Sequence, residues 1–285
     1  MPHRDDYLLA LPALRARLNE PQQTMYEIGP LDRLRAKVGE KPAGALQSVE
    51  AIFSAMFLSR EDATKTMSAH TQKAFDQMWA LQGGEGARAG GWRWFAANLD
   101  PWENAESHFF GASLAAAALT QTPADYRSSP KVRDRAAALN TYLLDGAESR
   151  RLHDRLALLL ARSFVPPSVR SAIVAAAFSK QQPDGGWTIE SLGPWMTHAD
   201  APPSSGTNAY ATAFATATLL RGGVPASDPR LVKALNWLES HQDPATGTWP
   251  AVSMNKRYPD GSMESRFMED AATSFASLAL IEAGR

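Results

Sequence analysis

Two stretches of this sequence place carboxylic acids beside aromatic side chains, next to small, apolar helical runs. The first is Phe267-Met268-Glu269-Asp270, leading into the run Ala271 to Leu280. The second is Glu103-Asn104-Ala105-Glu106, framed by Trp94, Trp102, His108, Phe109 and Phe110. Glu103 and Glu106 sit three apart, so on a helix they share one face. A carboxylic acid keeps its proton where burial and a neighbouring carboxylate disfavour the charge. Aromatic faces stabilise a cation formed beside them by about 0.5–2 kcal/mol per contact. Acid catalysis in a dry pocket is the chemistry such residues could do, with Glu103, Glu106, Glu269 and Asp270 as candidate catalytic acids. The plainer account makes Asp270 an N-cap and Glu269 a neighbour that compensates the helix dipole, together on the order of 1–2 kcal/mol. His108 could relay a proton beside its acids, although a lone histidine is more often a satisfied structural group.

Other polar groups carry weaker signals. His153-Asp154-Arg155 opens a predicted helix and could project polar groups into a cavity. His198 and Asp200 have the identities of metal ligands but lack a third and fourth partner at useful spacing. Asn255-Lys256-Arg257 could meet an anionic head group, though a basic loop is usually solvated. No Gly-x-Ser-x-Gly, P-loop or dinucleotide fingerprint is present. The chain has no cysteine, which excludes disulfides, thiolate zinc sites and cysteine nucleophiles. Formal charge is −1, without a run of Lys or Arg, so no nucleic-acid partner is expected. The opening MPHRDDYLLALPALRARL is too charged and periodic for a signal peptide. Apolar stretches end well before membrane-spanning length. A soluble, cytoplasmic protein without a transmembrane segment is the expectation.

The elements that must position these residues read as helices. Apolar residues recur at helical spacing over 5–18, 21–38, 43–59, 62–82, 104–120, 130–145, 150–163, 168–181, 207–221, 229–241 and 268–283. Almost no segment alternates as a strand does. Pro123, Pro166-Pro167, Pro202-Pro203 and Pro225, with paired glycines at 83–84, 185–186 and 222–223, punctuate the joins. Two helix types alternate. Gly111 to Leu119, Tyr210 to Leu220 and Ala271 to Leu280 are small and apolar all round, as a helix buried on most sides must be. Leu231 to Gln242 is amphipathic, as an outer helix is. Inner and outer helices in alternation suit a double ring, although a stack of helical hairpins gives the same pattern.

A turn recurs at the ends of outer helices. Lys233-Ala234-Leu235-Asn236-Trp237-Leu238 leads to Gln242 and then Gly247-Thr248-Trp249. Phe178 to Trp187, ending Gln-Gln-Pro-Asp-Gly-Gly-Trp, is a looser copy. Lys73-Ala74, Trp79, Gln82 and Gly90-Gly91-Trp92 make a third with a longer loop. Gln can bond backbone groups at a helix end, Gly permits the tight reversal, and Trp covers the join. This unit resembles the QW repeat of squalene-hopene cyclases and related terpenoid cyclases. Gly90 to Ser107, Gln181 to Trp187 and Arg266 to Leu280 are also similar to bacterial squalene-cyclase-related proteins. The resemblance covers about residues 70–285 and implies an all-α fold, an α/α toroid of inner and outer helices, with 1–285 as one barrel domain.

That resemblance implies a class II cyclase activity, protonation of an isoprenoid alkene without metal or redox cofactor, so no cofactor is expected. Glu269-Asp270 resembles the last two acids of the family's Asp-x-Asp-Asp motif, with Phe267 where the first would stand. Trp94, Trp102, His108, Phe109, His153, Tyr210 and Phe267 are then the candidate substrate-binding residues. The full Asp-x-Asp-Asp motif is absent, and the length suffices for one barrel where triterpene cyclases join two. A second barrel domain or a homodimer mate would complete such a cavity around an isoprenoid or other apolar small molecule. The alternative is a toroid without catalysis, a lipid- or ligand-binding or protein-interaction module. A carbohydrate-active α/α barrel would also use paired carboxylates and Trp platforms, but the tryptophans here sit mostly in the repeat turns.

Overall fold

The structure, a computed structural model, describes residues 40–61, 66–84 and 89–285. The helices predicted at 5–18 and 21–38 lie outside them. The helices are α1 (Glu40–Glu61), α2 (Ala69–Ala80), α3 (His108–Thr120), α4 (Ala124–Ser128), α5 (Pro130–Asp145), α6 (Leu152–Leu158), α7 (Pro167–Phe178), α8 (Ala209–Arg221), α9 (Pro229–Ser240) and α10 (Met263–Ala283). Short 3₁₀ turns occupy Ala147–Ser149, Leu159–Phe164 and Glu190–Leu192. No strand occurs among the described residues; one isolated bridge joins Leu99 to Glu103. The fold is all-α.

The chain divides into two compact units. Of the described residues, those between 40 and 150 and between 157 and 170 form one; 151–156 and 171–285 form the other. In the first, α1 packs against α2 and α3, and α3 also packs against the turn Leu159–Phe164. Every residue of α3 from Phe109 to Leu119 is buried. Small side chains permit that: around Gly111 there is no room for a Cβ, because the Trp94 ring occupies the space. In the second unit α8 lies along α10, with α9 against α8. All residues of α8 from Ala209 to Leu219 are buried. α9 buries Leu231, Ala234, Leu235, Trp237 and Leu238 and leaves Arg230, Lys233, Asn236 and Glu239 exposed, as its amphipathic pattern predicts.

The third expected inner helix departs from that reading. α10 buries Met268, Ala272, Thr273, Ala276, Ala279 and Leu280, which form one face, while Ser274 is exposed and Phe275 and Leu278 are half-buried. It also begins five residues earlier than expected, capped by Ser262, whose hydroxyl accepts from Ser265 N–H at 3.2 Å. That cap is stronger than anything at 268, and Met263 to Met268 continue the helical spacing without a breaker.

The three repeat turns share one hydrogen-bonding scheme. The indole N–H of Trp92 donates to Met78 O (2.7 Å), that of Trp187 to Ala177 O (2.8 Å) and that of Trp249 to Leu238 O (2.7 Å). Each therefore satisfies a carbonyl at the end of the preceding helix, and all three rings are fully buried. Gln82, Gln181 and Gln242 donate their amides to Gly90 O, Gly185 O and Gly247 O at 2.8–2.9 Å. Those three glycines have φ of 85°, 98° and 73°, the left-handed region that a side chain resists. Gln82 and Gln181 also reach across to a neighbouring helix, at Arg135 O and Arg230 O.

Candidate functional site

The candidate acids occupy surface and turn positions. α10 carries Glu269 and Asp270 two turns inside the helix, so neither is an N-cap, a correction that follows from the earlier start at Ser262. Asp270 is exposed, as is Phe267; Glu269 is half-buried. The 103–106 segment is a turn, because α3 begins only at His108, so Glu103 and Glu106 do not share a helix face. Side-chain bonds explain the late start. Asn104 Nδ2 donates to buried Asp100, Ser107 Oγ donates to Pro101 O, and Asn104 Oδ1 accepts from Glu106 N–H. Such bonds offer the backbone an alternative to the helix. The Glu103 backbone pairs with Ala97 and Leu99, and exposed Glu106 forms an ion pair with Arg150.

The aromatic residues around that turn act as packing. Trp94 donates its indole N–H to Trp102 O at 2.8 Å and meets Phe110 edge-on at 6.4 Å. The His108 Nδ1 lies 2.6 Å from Ala105 O, one turn back at the start of α3. Phe109 is fully buried under the Arg150 guanidinium, 5.3 Å from its ring centre. Trp94, Trp102, His108 and Phe109 belong to the first unit, whereas His153, Tyr210 and Phe267 belong to the second.

His153 and Tyr210, both among the candidates, are brought together. His153, Asp154 and Tyr210 are fully buried. The imidazole Nδ1 lies 2.9 Å from Asp154 Oδ1, and Nε2 lies 2.8 Å from the Tyr210 hydroxyl. Arg151 Nε donates to the other carboxylate oxygen at 2.9 Å. A neutral ring in this setting carries its proton on Nδ1 and takes the Tyr210 O–H at Nε2. The ring stacks on Phe214 at 4.5 Å and meets Trp195 edge-on at 5.4 Å. The Arg151 guanidinium covers Trp195 at 4.6 Å. This arrangement ties the start of α6 to the start of α8. Both oxygens of Asp154 accept from strong donors, so its burial is compensated. Sequence reasoning singled out the His-Asp pair but missed Arg151 and Trp195. Trp195 stands far from His153 in the chain with no local spacing to mark it, whereas Arg151 lies three residues before Asp154, an i,i+3 pair.

The same unit holds an open groove of about 670 Å³, formed by the starts of α8 and α10, the end of α9 and the loop 250–261. Its apolar lining includes Ala209, Pro250, Ala251, the exposed Val252 and Trp237. Trp237 is held by its indole N–H on Asp184 Oδ2 at 3.2 Å and stacks face to face with His241 at 3.8 Å. The groove is also lined by Lys256, Arg257, Tyr258 and Asp260. Lys256 Nζ sits 4.9 Å from the Tyr258 ring centre. Arg257 N–H bonds to Asp200 O at 3.0 Å, which anchors this segment to the loop before α8. Glu269 lines the groove, whereas Asp270 does not. Among the described residues no cluster of three or more metal-ligating side chains occurs, and no helix is long and apolar enough to cross a membrane. No protein-family model matches this chain, and no curated protein matches it either.

Proposed function

We propose that this chain is a helical-repeat ligand-binding module, built on turns of the terpenoid-cyclase type and closing as an α/α toroid, without alkene-protonating chemistry of its own. The carrying observation is the setting of its acids. Protonating an alkene requires a carboxylic acid that keeps its proton in a dry, aromatic pocket. Asp154, which has the dry aromatic surroundings, is bonded at both oxygens by Arg151 and His153. Glu106 is ion-paired at the surface, Asp270 is exposed, and Glu269 lines an open groove. Such a groove binds without excluding water, and its lining offers both apolar and charged contacts.

Ligand challenge of the whole protein tests this reading. Incubated with isoprenoid alcohols and alkyl phosphates, the protein releases each compound chemically unchanged, and ligand protects Tyr258 and His241 from hydroxyl-radical footprinting. Release of a rearranged hydrocarbon skeleton contradicts it, as does ligand protection confined to residues outside the groove.

A further inference from the structure

Two cations line the groove. Among the described residues neither Lys256 nor Arg257 has an ion-pair partner; the Lys256 ammonium lies over the Tyr258 ring, and the Arg257 backbone N–H bonds to Asp200 O. A guanidinium presents a planar fork of donors that matches carboxylate and phosphate oxygens in pairs, and an ammonium adds a point charge. The same groove is also lined by the apolar Ala209, Pro250, Ala251 and Val252, with Val252 53 % exposed. Cationic and apolar side chains lining one groove suit one kind of molecule. Its head is anionic and its body is a saturated or unsaturated chain.

Resting on the ligand-binding reading above, we infer that the groove takes a small anionic amphiphile, its phosphate-class head group on Arg257 and Lys256 and its aliphatic body against Val252 and Pro250. Asp260 and Glu269 also line the groove. Their carboxylates repel an anionic group placed beside them, which leaves Lys256 and Arg257 as the groups that take the head. A neutral polyhydroxylated ligand would use the same groove through Tyr258 and the carboxylates, but it would leave both cations without a partner.

Calorimetric titration of the whole protein with octyl phosphate, 1-octanol, inorganic phosphate and a neutral oligosaccharide separates these cases. Octyl phosphate binds at least about tenfold tighter than either octanol or phosphate alone, and its affinity falls as salt rises. The double substitution Lys256→Gln with Arg257→Gln weakens it by about tenfold or more, and Val252→Ser weakens octyl phosphate while leaving inorganic phosphate unchanged. Lys256 and Arg257 are both exposed, so the variants fold, which an unchanged melting midpoint verifies. Equal binding of octanol and octyl phosphate, or insensitivity to the double substitution, overturns the head-group assignment and leaves the binding-module reading standing. Preference for the oligosaccharide, or no octyl phosphate binding, overturns the inference outright; chemical conversion of a ligand would instead overturn the reading on which it rests.

Discussion

The hydroxyl of Tyr210 and Nε2 of His153 meet at 2.8 Å across 57 positions of sequence, inside a fully buried chain that continues to Asp154 and Arg151. Every link joins a donor to an acceptor, and the aromatic packing of Phe214 and Trp195 keeps the geometry dry. Removing the Tyr210 hydroxyl by Tyr210→Phe therefore costs about 1–2 kcal/mol of stability. Asp154→Asn removes the charge that Arg151 faces and costs more, about 3–5 kcal/mol. Denaturant unfolding followed by far-UV circular dichroism measures both. Equal stability of the two variants and the native protein would contradict the role assigned to this chain.

The repeat turns make a second prediction, separable from the first. Gly185 has φ of 98°, and a Cβ there would stand 2.7 Å from the Lys233 carbonyl carbon and oxygen. Gly206 has φ of 73° with open space around it. Gly185→Ala thus suffers both backbone strain and a clash, whereas Gly206→Ala suffers strain alone, about 1 kcal/mol. Thermal melts rank the two, and Gly185→Ala melts lower. Trp187→Ala empties a fully buried site, breaks the bond to Ala177 O and costs about 3–5 kcal/mol.

Asp228 caps α9, and its carboxylate bonds the Arg230 side chain and backbone N–H. Chiefly through the side-chain bond from Arg230, its pKa is held down from 3.8 to about 2. A carboxylate with a folded pKa below its unfolded one stabilises above the unfolded value and loses that contribution as pH falls through the folded value. The contribution of Asp228 is therefore full above about pH 4 and is lost towards pH 2. Asp228→Asn, which retains a capping side chain, shows a flatter acid limb in stability against pH than the native protein.

Tyr126 titrates late. Burial pushes its hydroxyl up to about 12, the nearby Asp76 charge adds to this, and the bond donated by Trp79 opposes it. A folded pKa above the unfolded one means stability that is full below about pH 10 and is lost as pH rises towards 12. Ultraviolet difference titration of the native protein against Tyr126→Phe shows the loss of one phenol step near pH 12.

Much of the framework was legible in the sequence because it is written locally. The Gln, Gly and Trp of each turn lie within about twenty residues of one another, and their spacing matches a single hydrogen-bonding scheme. α9 shows its buried face in its own periodicity, and α3 and α8 show theirs in unbroken runs of small apolar residues. The acids were harder to place. Whether Glu103 and Glu106 share a face depends on where α3 starts, and Asn104, whose side chain bonds Asp100, and Ser107 decide that by bonding the backbone. Glu269 and Asp270 resemble a helix start only until Ser262 is recognised as the cap. The buried chain at His153 was half visible, since adjacent His and Asp stand out, whereas Tyr210 and Trp195 join it through the fold. The groove left only the basic loop at 255–257 as its trace, because its lining is assembled from separate loops and helix ends.

The most direct test of the central claim is an incubation of the whole protein with linear isoprenoid alkenes in D₂O. Alkene protonation would deposit solvent deuterium on carbon in the product, where mass spectrometry detects it. The account predicts substrate recovered without carbon-bound deuterium. A deuterated, cyclised product that disappears in Glu269→Gln, Asp270→Asn or Glu106→Gln would contradict it and return the protein to acid catalysis.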